Sequence, residues 1–215
     1  MPISPLVARA GLVILEPDGQ QIRKVIALQY NPDSVNRSLN ARAGTAEGGE
    51  LQRVSGTATQ TITFDGELDA TDQLAQPAEP GNEVEVANGL HPYLAALEGL
   101  LNPPLDQVLE NARIAAEGFL EVIPTPTPSL VLVWSRQRVV PVRLTELSIV
   151  EEAFDIHLNP IRAKVSFSFT TLGVNELGTS GRLAAIAIGQ HRRLESLAAL
   201  EGFGSLTDLG AGVTL

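Results

Sequence analysis

The chain has 215 residues and a mass of 22.8 kDa, with 15 Lys+Arg against 25 Asp+Glu and a formal charge of −10. The absence of Cys excludes a disulfide scaffold, a thiolate metal site and a Cys nucleophile. The acidic balance argues against sequence-independent binding to nucleic acid or to an anionic membrane. A length of this order with 44% hydrophobic residues fits one folded domain, or one domain with a small appendage.

Met1–Gly11 has no charged leader ahead of an apolar core, so the expectation is cytoplasmic synthesis without a Sec signal, any export going by another route. The longest apolar run, Leu6–Leu15, is about ten residues and is interrupted by Arg9; a bilayer span needs roughly 20. Leu6–Glu16 reads as a strand that stops at the turn Pro17-Asp18-Gly19. Ile22–Tyr30 alternates and completes a hairpin, and Asn31-Pro32-Asp33-Ser34 ends it. Val35–Ala43 is a weaker strand pattern, and Gly44–Gly56 reads as a glycine-rich loop.

Thr57–Ala70 gives the cleanest alternation. Thr57, Thr59, Thr61, Thr63, Asp65, Glu67 and Asp69 share one face; Ile62, Phe64 and Leu68 lie on the other. A one-residue slip would bury the acids, so this register is predicted to be well fixed. Ala75–Glu85, with Pro77 and Pro80, reads as an exposed linker. Pro92–Leu101 reads as a helix with a Leu94, Leu97, Leu100 and Leu101 stripe, and Leu105–Leu120 as a second helix. Pro124–Pro128 reads as a stiff connector. Leu130–Trp134, a turn at Arg136-Gln137-Arg138, Val139–Val150 and Ala163–Leu172 read as antiparallel strands. A helix over Arg182–Leu200, with an apolar face of Leu183, Ile186, Ala187, Leu194, Leu197 and Ala198, precedes a glycine-rich Gly202–Leu215. The predicted class is α+β: mostly antiparallel sheet with a mid-chain helix, or two, and a C-terminal amphipathic helix.

No constellation points to catalysis, and no cofactor motif is present: neither a P-loop nor GxGxxG occurs. His91, His157 and His191 are scattered without metal-ligand spacing. Asp65, Glu67 and Asp69, with Asp72 beyond, are a conceivable hard-cation set, but alternate side chains on one strand face stand roughly 6.5–7 Å apart. An acidic face open to water or to a basic partner is the plainer reading. Glu151, Glu152 and Asp155, near His157 and Arg162, form a second acidic group read as a structured turn between strands. Trp134 reads either as an interface anchor beside Arg136 and Arg138 or as a core-edge residue. A metal-dependent hydrolase built on the acids of the first group is the weakest reading. A small-ligand or carbohydrate-binding β domain, with Trp134, Tyr30 and Tyr93 as platforms, is the alternative to a structural role.

Two segments carry a family pattern: Ala27-Leu28-Gln29-Tyr30-Asn31-Pro32-Asp33-Ser34, and Leu130–Phe169 with its VW strand, VRLTELSI and EEAFD…LNPIRA. FDGELDATDQLAQP and GLHPYLAALEGLL lie between them. Over about residues 6–172 the chain resembles the tube-protein-like family of contractile injection systems, whose baseplate members are often fused to a LysM module. Gly173–Leu215 carries no LysM pattern, and Leu105–Leu120 stands as an insertion. The resemblance implies an inner-tube type of β domain, an antiparallel β barrel or sandwich, over residues 1–173, with a helical insertion near 90–120, and a helix with a glycine-rich tail over 174–215, all as part of an intracellular or released injection particle. It implies a non-enzymatic structural subunit without cofactor: a baseplate-proximal tube initiator or adaptor in a six-fold or pseudo-six-fold homo-oligomeric ring. Its partners would be inner tube, spike hub and baseplate proteins, with no nucleic acid and no direct membrane insertion. The family-motif positions here are Gln29, Tyr30, Asn31, Pro32, Trp134, Glu151, Glu152, Phe154, Asp155, Asn159, Pro160 and Arg162, all but Trp134 expected to set strand ends. Because like-charged faces repel, the acidic faces are expected to meet solvent or arginines such as Arg136, Arg138 and Arg162.

Overall fold

The computed structural model describes residues 8–16, 19, 21–42, 56–102, 104–116 and 128–200. The readings for Pro17-Asp18, most of the 44–56 loop, residues 117–120, most of the proline connector and the 202–215 tail lie outside these residues. In chain order the elements are strands β1 (Gly11–Leu15), β2 (Ile22–Ala27), β3 (Asn36–Asn40) and β4 (Thr59–Asp69), then helices α1 (Thr71–Ala75), α2 (Glu83–Asn88), α3 (His91–Glu98) and α4 (Leu105–Ala116). Strands β5 (Ser129–Ser135), β6 (Arg138–Phe154) and β7 (Pro160–Thr171) and helices α5 (Val174–Leu177) and α6 (Arg182–Ala198) complete the order.

The fold is mixed α+β. All seven strands join one antiparallel sheet in the order β2-β1-β5-β6-β7-β4-β3. Among the described residues it does not close into a barrel: β2 and β3 are the two edges there, and no ladder joins them. The sheet is nonetheless strongly curved. Four strands separate β2 from β4, which in a flat sheet at about 4.8 Å per strand is roughly 24 Å. Gln29, just past β2, hydrogen-bonds the backbone of Asp69 at the end of β4.

The alternation of β4 explains its place. Ile62 faces Phe169 and Phe64 faces Phe167 across β7, while on the other face Glu67 opposes Lys164 and Asp69 opposes Arg162. Apolar pairs with apolar and acid with base, so a one-residue slip would break both sets at once. Inside the curve the rings of Phe64, Phe167, Phe169 and Trp134 pack together, with centroids 5.2–5.7 Å apart. Helix α3 brings Leu90, Leu94, Leu97 and Leu100 into the same core, whereas Leu101, expected in that stripe, is exposed.

Two expectations change. Ala75–Glu85 is exposed over its first part, but it is folded into turns and ends in helix α2 with Glu85 buried. Asn82 donates to the Gln73 and Gln76 carbonyls, closing a bend in which Pro77 and Pro80 sit. On α6 the buried line is Ala184, Ala187 and Gln190, while Leu194 and Leu197 are exposed. Small residues let the helix approach β6 closely, and a glutamine serves where backbone groups need partners: Gln190 Oε1 accepts from Val139 N at 3.1 Å and its Nε2 donates to Gln137 O at 3.0 Å. Arg193 adds a bond to Arg136 O at the turn of the β5–β6 hairpin. Helix α4 buries none of its stripe: Leu105, Val108 and Leu109 are all exposed.

Candidate functional site

The family-motif residues fall into two constructions. In the first, two side-chain amides act as stand-in peptide groups. Gln29 Nε2 donates to Asp69 O at 2.7 Å, and Asp69 N donates to Gln29 Oε1 at 2.9 Å. Asn31 accepts from Ala10 N at 3.0 Å and donates to Ala8 O at 2.7 Å. The turn after β2 is thereby tied both to the segment preceding β1 and to the far side of the sheet. Pro32 is half-buried and Tyr30 is exposed beside it.

Between this turn and the outer face of β4 and β7 lies a groove of about 860 Å³, whose lining includes Tyr30, Asp33, Asp65, Glu67, Lys164 and Ser166. Several charges on it and beside it are engaged within the chain. Asp65 accepts from Ser166 Oγ at 2.6 Å, Lys164 Nζ lies 2.7 Å from Glu152 Oε1, and Arg162 holds Asp69 Oδ2 at 2.9–3.0 Å. Asp69 also accepts the Thr71 hydroxyl and, at 2.8 Å, the Thr71 N–H. The Thr71 hydroxyl, aided by its amide and Arg162 against a smaller opposing effect of burial, holds the Asp69 carboxyl below the ordinary carboxylate range. The Glu152 hydrogen bond and charge raise Lys164, and Asp69 does the same for Arg162. Asp65, Asp69 and Glu152 thus each have a separate partner, and among the described residues no three His, Asp or Glu side chains converge as a metal's ligands would. Of the named arginines, Arg162 meets this acidic face, while Arg136 and Arg138 lie at the β5–β6 turn.

The second construction is the β6–β7 turn. Glu151, Glu152 and Phe154 belong to the end of β6, not to the turn as expected, because β6 continues pairing as far as Phe154↔Pro160. Asp155 organises the turn itself. Its Oδ1 accepts from His157 N at 2.7 Å and Asn159 N at 2.8 Å, its Oδ2 from Asn159 Nδ2 at 2.8 Å, and its own N–H donates to Asn159 O. Burial pushes its carboxyl up, but the Asn159 and His157 bonds outweigh it and leave the group below its usual value. Pro160 is buried, and its carbonyl accepts from Leu90 N at 2.8 Å. Gly89, at φ +56°, leaves room for that carbonyl; a Cβ there would sit 2.5 Å from it. The turn so held presents Ile156 and Leu158 at 93% and 76% exposure.

The remaining candidates stay apart. Trp134 is a core-edge residue, edge-on to Phe64 at 5.3 Å. Tyr93 hydrogen-bonds Glu85 and lines a different cavity from the Tyr30 groove, so the three aromatic platforms do not form one surface. His91, His157 and His191 lie on three separate elements, His191 beside Glu195 at 3.4 Å. Sequence reasoning missed Glu85 and Gln190. Glu85 carries no periodic signal, while Gln190 could have been found as the polar residue continuing the Ala184–Ala187 line.

No family model and no curated protein matches the sequence. Among solved structures the chain is weakly similar to a chain from the tail of an empty gene transfer agent particle computed with helical refinement and C6 symmetry. That match has 13% identity, covers 76% of this chain and 91% of that one, and has a TM-score of 0.30. A chain from the virion of the native gene transfer agent particle matches at 12% identity, 75% and 91% coverage and a TM-score of 0.27. At such scores no function passes from those particles to this protein. No helix among the described residues is long and apolar enough to cross a membrane.

Proposed function

We propose that this chain is a non-enzymatic structural subunit of a contractile injection particle, a baseplate-proximal tube initiator or adaptor joining spike hub, inner tube and baseplate in a ring of six or pseudo-six. Leu158 carries the reading. It is the one non-glycine residue with positive φ among those described, at 65°, and it is 76% exposed. A left-handed backbone costs a leucine about 1–2 kcal/mol, and exposure returns nothing within this chain. A neighbour that buries Leu158 and Ile156 accounts for both. The firmly built Asp155 turn then serves as a docking tip at the end of the long β6–β7 hairpin.

The open sheet edges support the same role. Strands β2 and β3 each leave one side of their backbone unpaired by the sheet, and ring closure against neighbours removes such edges. On this reading residues 1–173 are the tube-like unit, with 90–120 inserted, and 174–215 are an appendage held on it through α6. Gln29, Asn31, Asp155 and Asn159 maintain strand ends, and Lys164 on Glu152 and Arg162 on Asp69 offset acids of one face so that copies can approach. Cryo-EM of the sheathed particle tests the reading: six copies between spike hub and tube are expected. Recovery of the chain only as a free monomer, with particles assembling normally after its deletion, overturns it.

A further inference from the structure

Helices α1, α2 and α3 enclose a second cavity, of about 190 Å³, against the end of β4 and the QYNP turn. A single water needs only about 10–15 Å³ of such space, so this one has room for a larger group. Ala27, Leu68, Ala70 and Leu90 give it apolar wall, and Tyr93 gives an aromatic one. Its polar groups are unusual. Glu85 is 6% exposed; one carboxylate oxygen accepts the Tyr93 hydroxyl, and the other, Oε2, has no protein partner. Gln73 Oε1, on the same cavity, is also buried and unpartnered.

Two orphan acceptors, one of them on a buried acidic side chain, define what fits. An anion or a bare acceptor is refused. A hard metal ion would need several more oxygens than these two, and Asp69, the other carboxylate on the cavity, is already engaged by Thr71 and Arg162. What the cavity lacks is a positive charge carrying N–H donors, on a stem that the apolar wall covers and the Tyr93 ring can face. We infer that this cavity binds an aliphatic cation, an alkylammonium or alkylguanidinium group, against Glu85 and Gln73. Tyr93 is the movable wall: it is 44% exposed, and turning its hydroxyl aside opens the path to Glu85. Its own proton is held more tightly than usual, first by the Glu85 hydrogen bond and then by burial. The cation has two natural sources, a Lys or Arg side chain or a free polyamine. Arg9, exposed, is the Lys or Arg residue in the lining of the cavity.

Titration calorimetry of the full chain with n-butylguanidinium, n-butylammonium, spermidine and neutral 1-pentanol tests this, on wild type, Glu85→Gln, Gln73→Leu and Arg9→Ala, each checked for folding by thermal melting. One-to-one binding of the cations is expected, with none by pentanol, a loss of at least tenfold in Glu85→Gln and a several-fold loss in Gln73→Leu. Should Glu85→Gln not fold, Gln73→Leu carries the test. Spermidine binding more than tenfold tighter than butylguanidinium assigns the source to free polyamine; equal or weaker binding assigns it to a neighbouring side chain. Binding seen only in Arg9→Ala supports the site and makes Arg9 its resident cation. Binding unaffected by both Glu85→Gln and Gln73→Leu, or none in wild type and Arg9→Ala alike, overturns the inference.

Discussion

Gln29 and Asp69 lie near opposite edges of the sheet order and are joined by a pair of hydrogen bonds of 2.7 and 2.9 Å, the glutamine amide standing in for the peptide group of a missing strand neighbour. This contact holds the curve that encloses α3. Replacing Gln29 with Ala leaves the N–H and C=O of Asp69 without partners in a part-buried setting, which costs about 1–3 kcal/mol. Urea denaturation should show the unfolding free energy falling by that amount, with a lower midpoint, and Gln29→Glu should be no better, since a carboxylate meets the Asp69 carbonyl where a donor is required. An unchanged midpoint in both variants would remove this role for Gln29.

Asp69 also gives the fold an acid sensitivity. Its carboxyl is held below the ordinary value of 3.8 by the Thr71 hydroxyl first and by the Thr71 amide and Arg162 after it. A group whose folded value is depressed contributes stability that is complete above the unfolded value and lost as pH falls through the folded one. Stability measured between pH 6 and pH 2 should therefore decline below about pH 4. That decline should be shallower in Asp69→Asn, and a decline of equal steepness would assign the effect to other carboxylates.

Leu158→Gly separates the chain's own stability from its use. Glycine takes φ 65° without strain and little burial is lost, so the isolated chain should gain between roughly 0 and 1 kcal/mol. Incorporation into particles, read by quantitative blotting of purified assemblies, should fall. A variant that incorporates as well as wild type would deprive the proposed docking tip of its main support.

Gln190→Ala removes both partners that α6 offers to Gln137 O and Val139 N. Amide exchange across 182–198 should accelerate, together with that of Val139, while the β4–β7 ladder keeps its protection. Global destabilisation is expected at about 1–3 kcal/mol. Exchange rates in α6 equal to wild type would show that the alanine face alone holds the helix.

Gly89→Ala tests the seat of the β6–β7 turn. A Cβ there combines a left-handed φ of 56° with a 2.5 Å approach to the Pro160 carbonyl. The cost should exceed about 2 kcal/mol in thermal melts, more than that of the same change at Gly81, where a Cβ meets nothing.

Patterns that repeat within one element were legible in the sequence. The alternation of β4 announced both its faces and its register, since apolar and acidic residues separate cleanly at period two. Pro92 and the leucines after it marked α3. What depended on distant parts of the chain was not legible. Nothing local says that Gln29 bonds Asp69, that β6 pairs as far as Phe154, or that the sheet stays open at β2 and β3. Glu85 ends a stretch that reads as a solvated linker, yet the packing of α2 and α3 beneath the sheet buries it beside Tyr93. Burial and long-range hydrogen bonds are properties of the assembled sheet. The residues that make them carry no period of their own, so only the tertiary structure decided them.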